Sequence, residues 1–318
     1  MTIRAGVPLL GAALVLACDG GVEIQGQGGS STTEPPGVCS HQGGATSSGG
    51  RVECEGGIGA GGAPACIDGL AVSYPGLCLP QPSRIIFLGD SIFACYGIEG
   101  GKNGKDCGPR IVATHVAERF GAVSYENLAV SGAVTTDVPD REIPLLSELP
   151  GHALVVVLVG GNDLTPYYAM DDAEARAGWQ QAMSSWSQTW DEIFARLADG
   201  SLFPDGATVV LNTQYDPFDD CTASPYQEMS PVKRELLADF NRALAERATA
   251  SDSVFLVDQH AAFLGHGRHY ATDCCPYYEP DSDPWLLDGV HPNPEGHRAM
   301  ARQLIARIDA LYAGCGGS

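Results

Sequence analysis

From residue 84 onward, short apolar runs alternate with longer stretches of helical period, and this alternation constrains the fold more than any other feature of the chain. Ile85-Ile86-Phe87-Leu88 is wholly apolar, as a strand buried on both faces of a sheet must be. Residues 123–129, 153–159, 208–211 and 254–257 read as the next four such runs. Between them, Trp179, Met183, Trp186, Trp190, Ile193/Phe194 and Leu197 recur at steps of three or four. Leu236/Leu237, Phe240 and Leu244 repeat the pattern, and so do Met300, Leu304, Ile308 and Leu311. The three tryptophans are expected in the core. Strands that alternate with helices imply an α/β protein of three layers, α/β/α, around a parallel five-stranded sheet. Its functional residues should gather at the carboxyl ends of the strands.

The preceding residues have another texture. Met1 to Ala17 carries Arg4 and then an apolar run too short to span a bilayer, which reads as a signal peptide over 1–17. The run ends in Val15-Leu16-Ala17-Cys18, which resembles a bacterial lipobox, with Cys18 as the lipidated mature N-terminus. The alternative is an ordinary signal peptide, and hence secretion, with Cys18 paired or removed. Residues 19–83 hold 17 glycines in 65 positions, without persistent helical or strand period. They are expected to form a flexible tether, or a small loop-rich module stapled by Cys39, Cys54, Cys66 and Cys78. Zinc is disfavoured there because no Cys-x-x-Cys pair occurs. Residues 84–318 form the main domain.

Charge and cysteine usage bound the function. The formal charge of −21 repels phosphate backbones and anionic headgroups, so nucleic acid is not an expected partner, and membrane attachment would have to come from lipid on Cys18. Eleven cysteines point to an oxidising compartment, and lipidation of Cys18 would leave an even ten. The expected location is the bacterial cell envelope, outside the cytoplasm.

The predicted strand ends carry the chemistry. The first runs into Gly89-Asp90-Ser91-Ile92, where Gly89 permits a tight turn and Ser91 begins the next segment. The second ends in Asn127-Leu128-Ala129-Val130-Ser131-Gly132, and the third in Gly160-Gly161-Asn162-Asp163. Asp288-Gly289-Val290-His291-Pro292 precedes the last helix, with a carboxylate three residues before an imidazole. A serine hydroxyl is a poor nucleophile without such a base, and the base needs an orienting partner.

These four blocks, in this order, resemble the SGNH hydrolases, also called GDSL esterases and lipases, over residues 84–312. Ile92 stands where that family has leucine, and Ala129 where it often has glycine. The resemblance implies a flavodoxin-like fold, no cofactor or metal, and a serine ester hydrolase acting on small-molecule or polysaccharide O-acyl esters; the lack of an evident long apolar lid in the sequence mildly favours short acyl groups. It implies Ser91 as nucleophile, His291 as general base and then acid, and Asp288 as its partner. The oxyanion hole maps to the Ser91 and Gly132 backbone N–H groups and the Asn162 side-chain amide.

Competing readings are weaker. An α/β-hydrolase would need Gly-x-Ser-x-Gly, which no serine provides. Asp90 and Asp163 as a glycosidase acid pair compete with plain hydrogen bonding at the strand ends. His266, His269, Asp273, Cys274 and Cys275 invite a metal reading, but disulfides at the cysteines fit a secreted domain better. Cys95 and Cys107 are expected to pair beside the nucleophile, and Cys221, Cys274, Cys275 and Cys315 to form two further bridges of undetermined connectivity. Tyr270, Tyr277 and Tyr278 either border the substrate or lie on the surface. His297 is a rival base six residues past His291. A second class of function is a non-catalytic surface lipoprotein that binds glycan or a protein through residues 19–83.

Overall fold

The structure, a computed structural model, describes residues 79–222 and 229–313, together with the backbone of 65–67 and 70–72. The expected signal peptide, Cys18, the bridges of Cys39, Cys54, Cys66 and Cys78, and the side chain of Cys315 lie outside the described residues.

Five parallel strands form the central sheet in the order β4-β3-β5-β6-β7. They are β3 (Pro82–Gly89), β4 (Ser124–Asn127), β5 (His152–Leu158), β6 (Ala207–Asn212) and β7 (Val254–Val257). Two earlier strands, β1 (Ala65–Ile67) and β2 (Leu70–Val72), pair antiparallel. These strands are short apolar triplets, Ala-Cys-Ile and Leu-Ala-Val, and are the described regular structure within 65–72.

Central strand β5 is buried at every position, consistent with a sheet covered on both faces. Edge strand β4 differs from the buried apolar run anticipated at 123–129. Only Ser-Tyr-Glu-Asn is in the ladder, and it is exposed or half-buried throughout. A strand paired on one side alone needs no apolar partner on its outer edge, so the polar residues are tolerated.

Helices α1 (Gly108–Phe120) and α6 (Pro294–Tyr312) contribute to the core on one face of the sheet, with Ile85, Phe87, Leu154, Val156, Val112, Val116, Met300 and Leu304 in one cluster. On the opposite face α3 (Asp172–Leu197) and α4 (Pro231–Thr249) cover Ile86, Leu88, Val155 and Val157. The alternation of β3 side chains between these clusters is the period of two that a strand imposes. Helices α2 (Gly161–Tyr168) and α5 (Gln259–Phe263) are short and follow strand ends.

The tryptophan stripe is core, as expected. Trp179, Trp186 and Trp190 are all buried, and Trp186 packs on Phe240 of α4 with ring centroids 4.5 Å apart. Asp171 caps α3 by accepting from the Ala173 and Glu174 N–H groups, and Ser230 caps α4 by accepting from Lys233 N–H. Phe240 is wholly buried between the two helices and touches both Trp179 and Trp186. Phe240→Ala should therefore cost about 3–5 kcal/mol of stability, read as a lower urea midpoint at unchanged m-value.

Candidate active site

The carboxyl ends of β3, β4 and β5 and the loop before α6 meet at one edge of the sheet. At the end of β3, Gly89 has φ +146°, and a Cβ there would sit 1.9 Å from the Leu158 carbonyl oxygen. Only glycine lets β3 and β5 run side by side into the turn that carries Ser91. The Asp90 N–H donates to that same carbonyl (3.2 Å), and Asp90 accepts from Ile92 N–H through Oδ1 (3.0 Å).

Ser91 and His291 are in direct contact. Ser91 Oγ lies 2.9 Å from His291 Nε2, and His291 Nδ1 lies 2.7 Å from Asp288 Oδ2. The other carboxylate oxygen of Asp288 accepts from the N–H groups of Val290 (3.0 Å) and His291 (2.8 Å). Partial burial opposes ionisation of Asp288, but these hydrogen bonds outweigh it and hold its carboxyl below the usual range. An anionic Asp288 accepting from Nδ1–H leaves Nε2 as the acceptor facing the serine hydroxyl. Ser91 itself is only 9 % exposed, so the expected nucleophile is less open than its position at a turn suggested.

The other two blocks converge on the same place. Gly132 has φ +84° on an exposed turn, and neither its N–H nor that of Ser91 has an acceptor among the described residues. Asn162, in the first turn of α2, donates one amide hydrogen to the Ala133 carbonyl (2.9 Å), which orients the amide and ties it to the Gly132 loop. Asp163 serves that loop too, accepting from Thr135 N–H (2.9 Å) and Thr135 Oγ–H (3.1 Å). Asp90 and Asp163 thus do the local bonding anticipated for them at the strand ends.

His297 is no rival. It is 1 % exposed, and its Nδ1 accepts from Gly108 N–H at 3.3 Å. Burial, with the nearby His291, pushes its imidazole down to about 4. The cysteines near His266 and His269 are committed elsewhere, since Cys275 pairs with Cys221 and Cys274 is disulfide-bonded as well. The expected Cys95–Cys107 bridge is present. Tyr277 and Tyr278 are about two-fifths exposed, at 40 % and 43 %.

Four residues hold the site together in roles that sequence reasoning did not assign, although Asn127 opens the second block. Asn127 donates to the Phe93 carbonyl (2.7 Å) and accepts from Ala129 N–H (3.2 Å), joining the end of β4 to the segment after Ser91. Tyr215, buried after β6, donates to the Val290 carbonyl at 2.5 Å. Tyr96 lies against the His291 ring. Glu142, in a π-helical turn at Val138–Glu142, is wholly buried, and its Oε2 accepts from Gly89 N–H at 2.8 Å. In sequence Glu142 is one acid in a polar stretch, Pro139-Asp140-Arg141-Glu142, and carries no motif.

The family model for GDSL-like lipases and acylhydrolases matches residues 87–299. The chain belongs to that family and is an SGNH/GDSL-type ester hydrolase. No curated protein is similar enough to count as a match. Among solved structures, the chain is similar to a phospholipase A1 from Streptomyces albidoflavus NA297, with 19 % identity, TM-score 0.51, and coverage of 72 % of this chain and 99 % of that one. An extracellular lipase from Streptomyces rimosus has 20 % identity and TM-score 0.50, with coverage of 72 % and 99 %. The lipase Lip_vut3 from a goat rumen metagenome has 19 % identity and TM-score 0.51, with coverage of 70 % and 96 %. At these identities the likeness establishes the fold.

Burial pushes the Glu142 carboxyl up to about 8, with Asp90 and Asp137 adding to the rise and the Gly89 N–H and Lys102 opposing it. A carboxyl raised from its ordinary value of about 4.3 holds its proton in the folded state after the unfolded chain has released it. Its contribution to stability is complete below that ordinary value and fades as pH climbs toward about 8. Glu142→Gln keeps an acceptor for Gly89 and removes the titration. Between pH 5 and 8 its unfolding free energy should fall less steeply than the wild type's, by up to about 1 kcal/mol per pH unit in urea titrations. Parallel slopes in the two proteins would contradict this.

Proposed function

We propose that this chain is an extracytoplasmic serine ester hydrolase that removes short O-acyl groups through an acyl-enzyme, with residues 84–318 as its catalytic domain. The observation that carries the reading is the continuous hydrogen-bonded line from Ser91 Oγ through both nitrogens of His291 to Asp288. Family membership and the acyl-ester enzymes named among the similar folds support it.

In this reading Ser91 Oγ attacks the ester carbonyl carbon while His291 Nε2 takes the hydroxyl proton. Asp288 holds the imidazolium that results. The carbonyl oxygen becomes an oxyanion and accepts from the Ser91 N–H, the Gly132 N–H and the second amide hydrogen of Asn162. Collapse breaks the carbon–oxygen bond to the alcohol, which leaves with the proton from His291. Water then attacks the acyl-enzyme with His291 again as base, and Ser91 regains its proton as the acid departs. Apart from that water, the proposed proton transfers and the oxyanion contacts use the chain's own groups.

The buried Cys95–Cys107 and Cys221–Cys275 bridges suit an oxidising compartment. With them we retain the reading of 1–17 as signal peptide, Cys18 as lipid anchor and 19–83 as tether or small module, which places the enzyme at the outside of a bacterial cell. The lack of an evident long apolar lid segment in the sequence mildly favours small acyl groups, and acetylated carbohydrate and short-chain lipid or aryl esters both belong to the proposed substrate class.

A fluorophosphonate probe should label the wild type and fail to label Ser91→Ala. Asn162→Ala should lose about 100- to 1000-fold in kcat on nitrophenyl acetate while unfolding as the wild type does. An Asn162→Ala enzyme with undiminished kcat would remove Asn162 from the oxyanion hole.

A further inference from the structure

The turn that carries Ser91 ends in an unusual way. Tyr96 N–H donates to the Ser91 carbonyl (3.0 Å), and Cys95 N–H donates to the Ile92 carbonyl (3.1 Å). This pair of six-to-one and five-to-two bonds is a Schellman motif, in which the penultimate residue is left-handed and is usually glycine. Here that residue is Cys95, at φ +57°. A side chain with a Cβ resists this conformation, and Cys95 is fixed in it while bonded to Cys107, both sulfurs being buried.

The motif has a geometric consequence. It brings the residue after the left-handed position back against the residue five places earlier. The later residue is Tyr96 and the earlier one is Ser91. The Tyr96 ring accordingly lies against the imidazole of His291, with centroids 4.5 Å apart and planes inclined by 39°. The hydrogen bonds at Nδ1 and Nε2 both act in the plane of the imidazole, so they oppose out-of-plane swinging only weakly. A contact on the ring face opposes it directly.

We propose that Tyr96 is a positioning residue that keeps His291 aligned with Ser91 Oγ, and that the Cys95–Cys107 disulfide acts on turnover through Tyr96 by fixing this turn. The proposal rests on the reading of Ser91 as nucleophile and His291 as base. Tyr96 is 44 % exposed, so a direct contact with substrate is the competing role.

Two readouts separate the roles: steady-state hydrolysis of nitrophenyl acetate, and the rate at which a fluorophosphonate labels Ser91. Tyr96→Phe should retain both, whereas Tyr96→Ala should lose about tenfold in kcat and in labelling rate with KM little changed. Cys95→Ala combined with Cys107→Ala should show the same loss. Cys95→Gly combined with Cys107→Ala should recover it, because glycine takes the left-handed conformation without a crosslink. Thermal unfolding of each variant checks the fold, and the Tyr96→Ala arm stands even if the alanine pair does not fold. Tyr96→Ala with undiminished kcat and labelling overturns the proposal, and a rise in KM alone assigns Tyr96 to substrate contact instead. A glycine pair as slow as the alanine pair overturns the role of the disulfide. A Ser91→Ala protein that still labels would instead overturn the underlying reading, so the two failures are distinct.

Discussion

The contact between Ser91 Oγ and His291 Nε2, 2.9 Å long, joins residues 200 positions apart, and the rest of the site is organised to keep it. The serine half is secured by the sheet. Its strand pairs with β4 on one side and β5 on the other, and the strand end is fixed where Gly89 presses on Leu158 and donates to Glu142. The histidine half has no strand or helix of its own. A loop residue of that kind would sample many positions, and the entropy of ordering it must be offset by specific anchors.

Those anchors can be followed outward from His291. Leu287 N–H donates to the His291 carbonyl (2.7 Å), and Asn293 N–H to the Trp285 carbonyl (2.8 Å), closing the segment on itself. Tyr215 holds it from below through Val290. The preceding loop is gathered around one buried carboxylate. Asp219 accepts from the N–H groups of Gly265 (3.0 Å), Gly267 (2.8 Å) and His269 (2.9 Å). The Cys221–Cys275 bridge ties the same two segments covalently across 54 residues. The anchors are mostly backbone groups, which explains how a long irregular segment can present a side chain to within hydrogen-bond distance of its partner.

What was legible in the sequence follows from which interactions are local. Four of the five central strands and the main helices were readable because burial on both faces leaves unbroken apolar runs, and burial on one face leaves steps of three and four. The meeting of Ser91, Asp288 and His291 was foreshadowed because each sits in a short block whose role is set by neighbours three residues away or fewer. Glu142, Tyr215 and Asn127 were not legible. Each acts on a partner brought near by the fold, at separations of 53, 75 and 34 residues, and nothing adjacent in the chain marks that partner. Edge strand β4 was drawn too long and too apolar, because position within a sheet is a property of the topology. The pairing of Cys221 with Cys275 in preference to Cys274 is equally a matter of tertiary placement.

Glu142 also bears on how a chain of charge −21 would stabilise the oxyanion of the proposed mechanism. Three acids, Asp90, Glu142 and Asp163, stand at the ends of the strands that form the proposed hole, and as carboxylates they would oppose the negative charge that develops there. Burial answers this. It pushes Asp90 up to about 7, Glu142 to about 8 and Asp163 to about 6, so each binds its proton more tightly than an exposed acid does. Their oxygens nevertheless remain acceptors for Ile92, Gly89 and Thr135, which is how they shape the turns. Asp288 is treated in the opposite way. It is 43 % exposed, hydrogen-bonded to two backbone N–H groups, and held below the ordinary carboxylate range beside the imidazole that must become a cation. In the proposed mechanism the fold thus keeps Asp288 ionised where positive charge would form, and shifts the buried acids toward their neutral forms where negative charge would form.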